Sequence, residues 1–187
     1  MKGHIALLRA VNVGGKGKIS SVELKLFFEQ LGFPGAGTLL QSGNVVFDVV
    51  GRNGLRSQAA TDSLEQLLEQ ESAVRLGLRT DYFVRKSDEW AQVIAYNPFE
   101  REAAQDPSHL VVMVLKNAPS PVEVDALRAA IKGPERVSAW DRHAYIVYPA
   151  GIGTSKLTIG VIEGKLHTRG TGRNWNTVQK LHALMDG

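Results

Sequence analysis

The sequence contains no cysteine, and no apolar run in it approaches the length of a membrane span. The absence of cysteine excludes disulfides, thiolate zinc sites and cysteine nucleophiles. A transmembrane helix needs roughly 20 consecutive apolar residues, so we expect no membrane-spanning segment. Residues 1–4 lead into an apolar stretch without a small-residue cleavage site, which we interpret as a strand and not a signal peptide. We therefore expect a cytoplasmic protein.

Several patterns of catalytic and cofactor-binding residues are also missing. The five histidines lack the spacing of metal ligands, and there is no G-x-S-x-G nucleophile turn. The dinucleotide-binding pattern G-x-G-x-x-G is absent, and Asn12 and Ile19 break the phosphate-loop pattern. Phe47, a single aromatic residue in its strand, does not make an RNA recognition motif. We predict no metal and no cofactor, and the sequence leaves open whether the protein is an enzyme.

Charge is distributed unevenly, although the net charge is only +3. Residues 1–25 carry five Lys or Arg and one Glu, a balance of +4, and residues 150–187 carry five against two acids, a balance of +3. The stretch between them is acidic, with twelve basic and sixteen acidic residues. If the two ends meet, they form a positive surface that attracts phosphates or carboxylates. The alternative is a scatter of solvated lysines.

The order of helical and strand patterns predicts two similar halves. Capping boxes at Ser20 with Glu23 and at Ser120 with Glu123 mark helix starts, and each helix lies in a strand, helix, strand, strand, helix, strand series. That series is typical of a ferredoxin-like plait. We predict an α+β fold of two tandem ferredoxin-like (α/β plait) subdomains plus connector and C-terminal helices. The expected divisions are a first plait at 1–86, a helical connector at 87–107 and a second plait with a C-terminal helix at 108–187.

Two predictions near the C-terminus depend on weaker patterns. Residues 151–155, Gly-Ile-Gly-Thr-Ser, are expected to open a helix with Lys156 in its first turn. A lysine in that place opposes the helix dipole, which favours an anion nearby. The last strand is expected at 167–172, and a final helix follows it with Asn174 as a possible cap and Trp175 in its core stripe.

Glycine, lysine and amide side chains indicate an anion site. The loop Gly14-Gly15-Lys16-Gly17-Lys18 lets backbone N–H groups point at an oxyanion while the lysines neutralise it. Arg9 ends an apolar strand, and a buried arginine requires a carboxylate or a ligand. Turn chemistry explains the polar residues of the 41–44 hairpin about as well as recognition does. The candidate ligand-binding residues are Arg9, Asn12, Gly14, Gly15, Lys16, Lys18, Gln41, Ser42, Asn44, Ser155, Lys156, Arg173, Asn174 and Asn176.

These residues support one leading hypothesis and two alternatives. In the first, they converge on a basic cleft between the subdomains that binds a phosphorylated or anionic small molecule. In the second, the same surface binds nucleic acid without catalysis, with an affinity that falls steeply with salt. In the third, the polar motifs only join the subdomains of a scaffold. The oligomeric state is not predicted.

Four segments of the chain carry a resemblance to a known family. They are 7–16 (LLRAVNVGGK), 41–47 (QSGNVVF), 155–157 (SKL) and 173–178 (RNWNTV). In this order they resemble the bacterial domain-of-unknown-function family numbered 1697, which implies two α/β plait subdomains and a cytosolic protein but no activity. The chain departs from the family pattern at Ala10, where glycine is common, and at Thr171-Gly172, where the family tends to have Thr-Ala.

Overall fold

The computed structural model describes residues 3–11, 18–40, 43–49 and 58–186, with side chains from residue 61 to 185 in the last range. The chain divides into two compact units, residues 1–91 with 181–187 and residues 92–180. We call them unit 1 and unit 2. The three-part division at residues 86 and 107 stays a prediction.

Unit 1 contains a four-stranded antiparallel sheet in the order β2-β3-β1-β4. Two helices connect its strands, and a third helix follows β4 without a loop. The elements are β1 (His4–Leu8), α1 (Ser21–Gln30), β2 (Gly37–Thr38), β3 (Asn44–Phe47), α2 (Gln58–Arg75), β4 (Tyr82–Lys86) and α3 (Ser87–Ala95), the last of which continues into unit 2.

Unit 2 contains a second four-stranded antiparallel sheet, in the order β6-β7-β5-β8. Its strand order repeats that of the first sheet, since β5 takes the place of β1 and β8 takes that of β4. The elements are α4 (Glu100–Gln105), β5 (Leu110–Leu115), α5 (Pro121–Ala130), β6 (Arg136–Trp140), β7 (His143–Val147), α6 (Ile159–Leu166), β8 (Gly170–Asn174) and α7 (Trp175–Asp186), the last of which continues into unit 1.

Local signals in the sequence determine where α1 and α5 begin. Both predicted capping boxes are confirmed: the Ser20 and Ser120 hydroxyls accept from the backbone N–H three residues on, and Glu23 and Glu123 bond back. Pro121 occupies the first turn of α5, where its missing N–H costs nothing. These caps satisfy donors that would otherwise be orphaned at the helix ends.

Each sheet packs two helices on one face. In unit 1, Phe27 and Phe28 of α1 join residues of the sheet and α2 in one buried cluster, and in unit 2 Leu127 of α5 and Ile162 of α6 do the same. The opposite faces are buried as well, including Leu7. Among the described residues, no helix has the length and apolar content needed to cross a membrane.

The outer strand β4 is protected by acidic side chains. Glu69 accepts from the backbone N–H of Tyr82 at 3.0 Å, and Glu65 accepts from that of Val84 at 2.7 Å. Glu89 accepts from the N–H of Lys86 at 2.9 Å. An exposed strand edge invites pairing with another chain. These glutamates therefore both satisfy the edge and block it.

Two predicted elements of unit 2 differ in the structure. The last strand is β8 at Gly170–Asn174, later than the predicted 167–172, because His167 ends α6 in a left-handed conformation with φ 48°. Residues 151–155 form turns and do not open a helix, which starts at Ile159 with Thr158 as its N-cap. Lys156 therefore lies in a loop and not in the first turn of a helix.

Candidate functional site

The first two motifs meet at the C-terminal end of β1. The backbone N–H of Leu8 donates to the carbonyl of Gly43 at 2.8 Å, so the β2–β3 hairpin lies against the segment that leaves β1. Gly43 has φ +68°, and a Cβ there would lie 2.5 Å from Val11 Cγ2 and 2.8 Å from Leu8 Cβ. Only glycine fits such an approach without displacement. The structure thus brings together two segments that are 32 residues apart in sequence, as the numbers of Val11 and Gly43 show.

The described binding candidates of unit 1 are Arg9, Lys18 and Asn44. Arg9 is half-buried, and its backbone is held to the residues just before β4. Its N–H donates to the Asp81 carbonyl at 3.0 Å, and its carbonyl accepts from the Thr80 hydroxyl at 2.6 Å. Lys18 is exposed. Asn44 is fully buried and donates through Nδ2 to the carbonyl of Leu39 at 2.8 Å, so it braces the hairpin.

Six further candidates lie outside the described residues. They belong to the glycine-lysine loop and to the tip of the hairpin, the two segments whose ends meet at Gly43. They are Asn12, Gly14, Gly15, Lys16, Gln41 and Ser42.

Ser155 and Lys156 occupy the loop between β7 and α6. The Ser155 hydroxyl donates to the Glu135 carboxylate and accepts from the N–H of Leu157 at 2.9 Å. Both contacts fix the loop, because one is a long-range bond and the other closes a serine turn. Lys156 is exposed. Its ammonium group can therefore reach a ligand at this surface without a cost of burial.

Arg173 lies inside β8 and not at a helix start. It retains only 9% exposure, and its Nη1 donates to the Thr171 hydroxyl at 2.9 Å and to the Gly172 carbonyl at 2.8 Å. Burial lowers the pKa of Arg173 to about 10. The guanidinium therefore stays charged at neutral pH, and the low dielectric around it strengthens its interaction with any anion.

Asn174 caps α7 as the sequence predicted. Its Oδ1 accepts from the N–H and the hydroxyl of Thr177, at 3.0 Å and 2.9 Å. Trp175 is 3% exposed and packs in the interior, which confirms its expected place in the core stripe. Asn176 is half-buried. The dense polar motif at 173–177 is thus explained in part by helix capping and by the edge of β8.

The two C-terminal motifs leave their sheet at the same end. Tyr148, after β7, donates its N–H to His109 at 2.8 Å, and Trp175, after β8, donates its N–H to Pro107 at 3.1 Å. Both acceptors lie just before β5, which is the strand between β7 and β8. Adjacent strands are about 4.8 Å apart, so the 151–156 and 173–176 segments flank one strand end.

Sequence reasoning missed the pair Asp106 and His109 at that strand end. His109 Nδ1 lies 2.7 Å from Asp106 Oδ2. The hydrogen bond with His109, and then that from Ser108, hold the pKa of Asp106 below its usual value. The only signal in the sequence is an aspartate three residues before a histidine. The two side chains meet because α4 ends at Gln105 and the chain turns there.

Two surface cavities in unit 2 have no predicted site residue in their walls. One, of about 320 Å³, lies between α5 and the end of β6 and is lined by residues that include Val124 and Trp140. The other, of about 260 Å³, is lined by residues that include Glu100 of α4 and Trp175 of α7. The predicted binding residues that the structure describes therefore lie outside these two cavities.

Comparisons with known proteins agree with this fold. A conserved bacterial protein SP0830 from Streptococcus pneumoniae is similar over 98% of both chains, with 19% sequence identity and a TM-score of 0.71. That likeness concerns the fold alone. No curated protein matches the chain. The model of the family described as protein of unknown function DUF1697 matches residues 1–145, which include the first two motifs. The chain therefore belongs to the DUF1697 family.

Proposed function

We propose that this protein binds a phosphorylated or otherwise anionic small molecule through the residues of its four motifs. The observation that carries the proposal is the contact of Gly43 with Leu8 and Val11, which joins the root of the glycine-lysine loop to the polar hairpin. Loops of this composition bind oxyanions through backbone N–H groups and ammonium groups. A glycine that permits close backbone approach is typical of such loops.

The charges of the candidate residues select an anion as the ligand. Lys18 and Lys156 are exposed cations, and Arg173 is a buried cation that stays protonated at neutral pH. Arginine binds carboxylates and phosphates through two parallel hydrogen bonds, whereas lysine acts as a point charge. The ligand would accordingly carry at least one oxyanion group, with the amides of the motifs reading the rest of the molecule.

We also infer that each unit is a ferredoxin-like plait. In both, two helical connections flank a hairpin, and the first strand of the sheet lies in its middle beside the last strand. This order is the split βαβ arrangement. The architecture hosts many functions and so adds nothing to the choice of ligand.

A thermal-shift panel tests the proposed function. The panel contains pyrophosphate, nucleotides, sugar phosphates and a short RNA at 150 mM salt. A ligand at 100 times its Kd stabilises the native state by about 2.7 kcal/mol, and for a chain of this size each kcal/mol raises Tm by about 2–4 °C. We expect a small phosphorylated compound to raise Tm saturably.

Matched lysine variants locate the binding. Lys156→Gln should lower the affinity, whereas Lys180→Gln, an exposed lysine outside the motifs, should not. The proposal is rejected if no compound raises Tm, which supports the scaffold alternative, or if both variants bind as tightly as the parent protein. Binding by RNA alone, with a steep loss of affinity on added salt, would support the nucleic-acid alternative.

A further inference from the structure

The contact of Nδ1 with Asp106 holds the imidazole of His109 in one orientation, and the other ring nitrogen, Nε2, takes no part in that contact. Its Nδ1 lies 2.7 Å from Asp106 Oδ2, and the Ser108 hydroxyl donates to Asp106 Oδ1 at 2.9 Å. A carboxylate accepts hydrogen bonds and does not donate them, so Nδ1 carries the proton of this bond. Nε2 is then the atom at which the neutral ring accepts a proton.

His109 Nε2 faces the turn that begins the 151–156 loop. A Cβ built on Gly151 would lie 3.6 Å from Nε2, and Gly151 has φ +82°, a conformation that favours glycine. The His109 side chain is 41% exposed. No side chain at position 151 therefore covers Nε2, and a ligand at this turn can reach it.

The strand end that bears His109 lies between the two C-terminal motifs. The backbone of His109 bonds to Tyr148 on the β7 side, and Pro107 bonds to Trp175 on the β8 side. A ligand that contacts both the 151–156 loop and the 173–176 segment must cross this strand end. In the part of the chain that the structure describes, Asp106 is the ion-pair partner of His109. The backbone of Tyr148 bonds to the backbone of His109, and Gly151 lies beside its ring.

We propose that His109 is the proton-bearing group of the anion site, a role that rests on the proposed function. With Asp106 holding Nδ1–H, the protonated ring donates from Nε2 to an oxyanion of the ligand, and the neutral ring offers only a lone pair there. Anion binding should therefore be tighter at pH 5.5 than at pH 8.

Sulfate is the probe for this test because its charge is constant between pH 5 and 8. Proton–carbon NMR of the full chain follows the ring signals of each histidine as sulfate replaces chloride at equal ionic strength, at pH 5.5 and at pH 8. We expect the His109 signals to shift saturably and sulfate to bind about tenfold more tightly at pH 5.5 than at pH 8. His167, an exposed histidine of the same unit at the end of α6, is the internal control and should not respond.

Two variants separate this role from a structural one. His109→Gln keeps a neutral hydrogen-bond donor and should abolish the pH dependence of sulfate binding while leaving Tm at pH 8 unchanged without sulfate. Asp106→Asn removes the carboxylate that holds Nδ1–H, so the preference of sulfate binding for pH 5.5 over pH 8 should weaken. The inference is wrong if sulfate shifts His109 no more than His167, including the case in which sulfate does not bind. Failure of the wider phosphate panel, in contrast, rejects the proposed function itself.

Discussion

Replacing Gly43 by alanine should destabilise unit 1 because the new Cβ has no room. It would lie 2.5 Å from Val11 Cγ2 and 2.8 Å from Leu8 Cβ, and the second atom is attached to the backbone of a central strand and cannot rotate away. The positive φ of Gly43 costs an alanine about 1 kcal/mol, and overpacking of this kind adds about 1–3 kcal/mol. We expect a total loss of about 2–4 kcal/mol.

Gly77→Ala is the matched control for this prediction. Gly77 has φ +63°, close to that of Gly43, but a Cβ there meets nothing within 4 Å. Its alanine variant should therefore lose only the backbone contribution of about 1 kcal/mol. Urea unfolding followed by circular dichroism measures both losses from the midpoints at constant slope.

The difference between the two variants isolates the contact of the hairpin with the end of β1. Adding Val11→Ala to Gly43→Ala relieves one of the two close contacts and should recover part of the stability. The same substitution added to Gly77→Ala should have a purely additive effect, because the two sites share no contact. Equal losses for Gly43→Ala and Gly77→Ala would refute the close approach and the observation on which the proposed function depends.

Two further predictions concern buried polar groups of unit 1. Burial, and then the charge of Lys86, lower the pKa of His4 below 6.5, and neither ring nitrogen has a hydrogen-bond partner among the described residues. The unfolded chain thus takes up the proton before the folded chain does as pH falls below 6.5, so the free energy of unfolding should decrease from pH 7.5 to 5.5. In His4→Phe this decrease should be smaller. Identical shifts of the urea midpoint in the two proteins would contradict the prediction. Glu65→Ala removes the carboxylate that accepts from Val84 and lies 3.6 Å from the buried Arg85, and should cost about 3–5 kcal/mol in urea unfolding. Glu71→Ala, which breaks the exposed pair with Arg75, should cost under about 1 kcal/mol, and similar losses for the two would show that burial of the pair is not decisive.

The helix starts with complete local signals could be predicted from the sequence. Ser20 and Ser120 each have a glutamate three residues on, and both form the expected capping boxes. The same reasoning failed at residues 151–155, where Ser155 resembles an N-cap. Its hydroxyl is engaged by Glu135, a residue 20 positions away, and the true N-cap is Thr158. A long-range contact of this kind leaves no local pattern.

The strand β8 could not be placed from its composition. Glycine has low strand propensity, and β8 contains Gly170 and Gly172. Both are held by pairing with β5, where a Cβ would lie 2.9 Å from Leu115 at position 170 and 3.0 Å from Met113 at position 172. Here the packing of the sheet, and not propensity, decides the conformation. For this reason the sequence predicts the motif at 173–176 at a helix start, whereas the structure places Arg173 and Asn174 in the strand.

The two halves of the sequence share no repeated residue pattern, yet the same kinds of residue satisfy the backbone groups of the outer strands β4 and β8. Arg85 and Arg173 are each the fourth residue of an outer strand, and each donates through Nη1 to the carbonyl of the preceding residue at 2.8 Å. The first N–H of each strand is accepted by a glutamate, Glu69 for β4 and Glu163 for β8. A helix then follows directly.

This correspondence changes how Arg173 should be tested. Arg85 is as deeply buried without belonging to any binding motif, so burial of an arginine at this position is explained by protection of the strand edge. Replacing Arg173 would disturb that edge and could abolish ligand binding through a loss of structure. Lys156 is exposed and lies in a loop held by other residues, so its replacement changes charge without changing the fold. Loss of affinity in Lys156→Gln is therefore the stronger support for an anion site in unit 2.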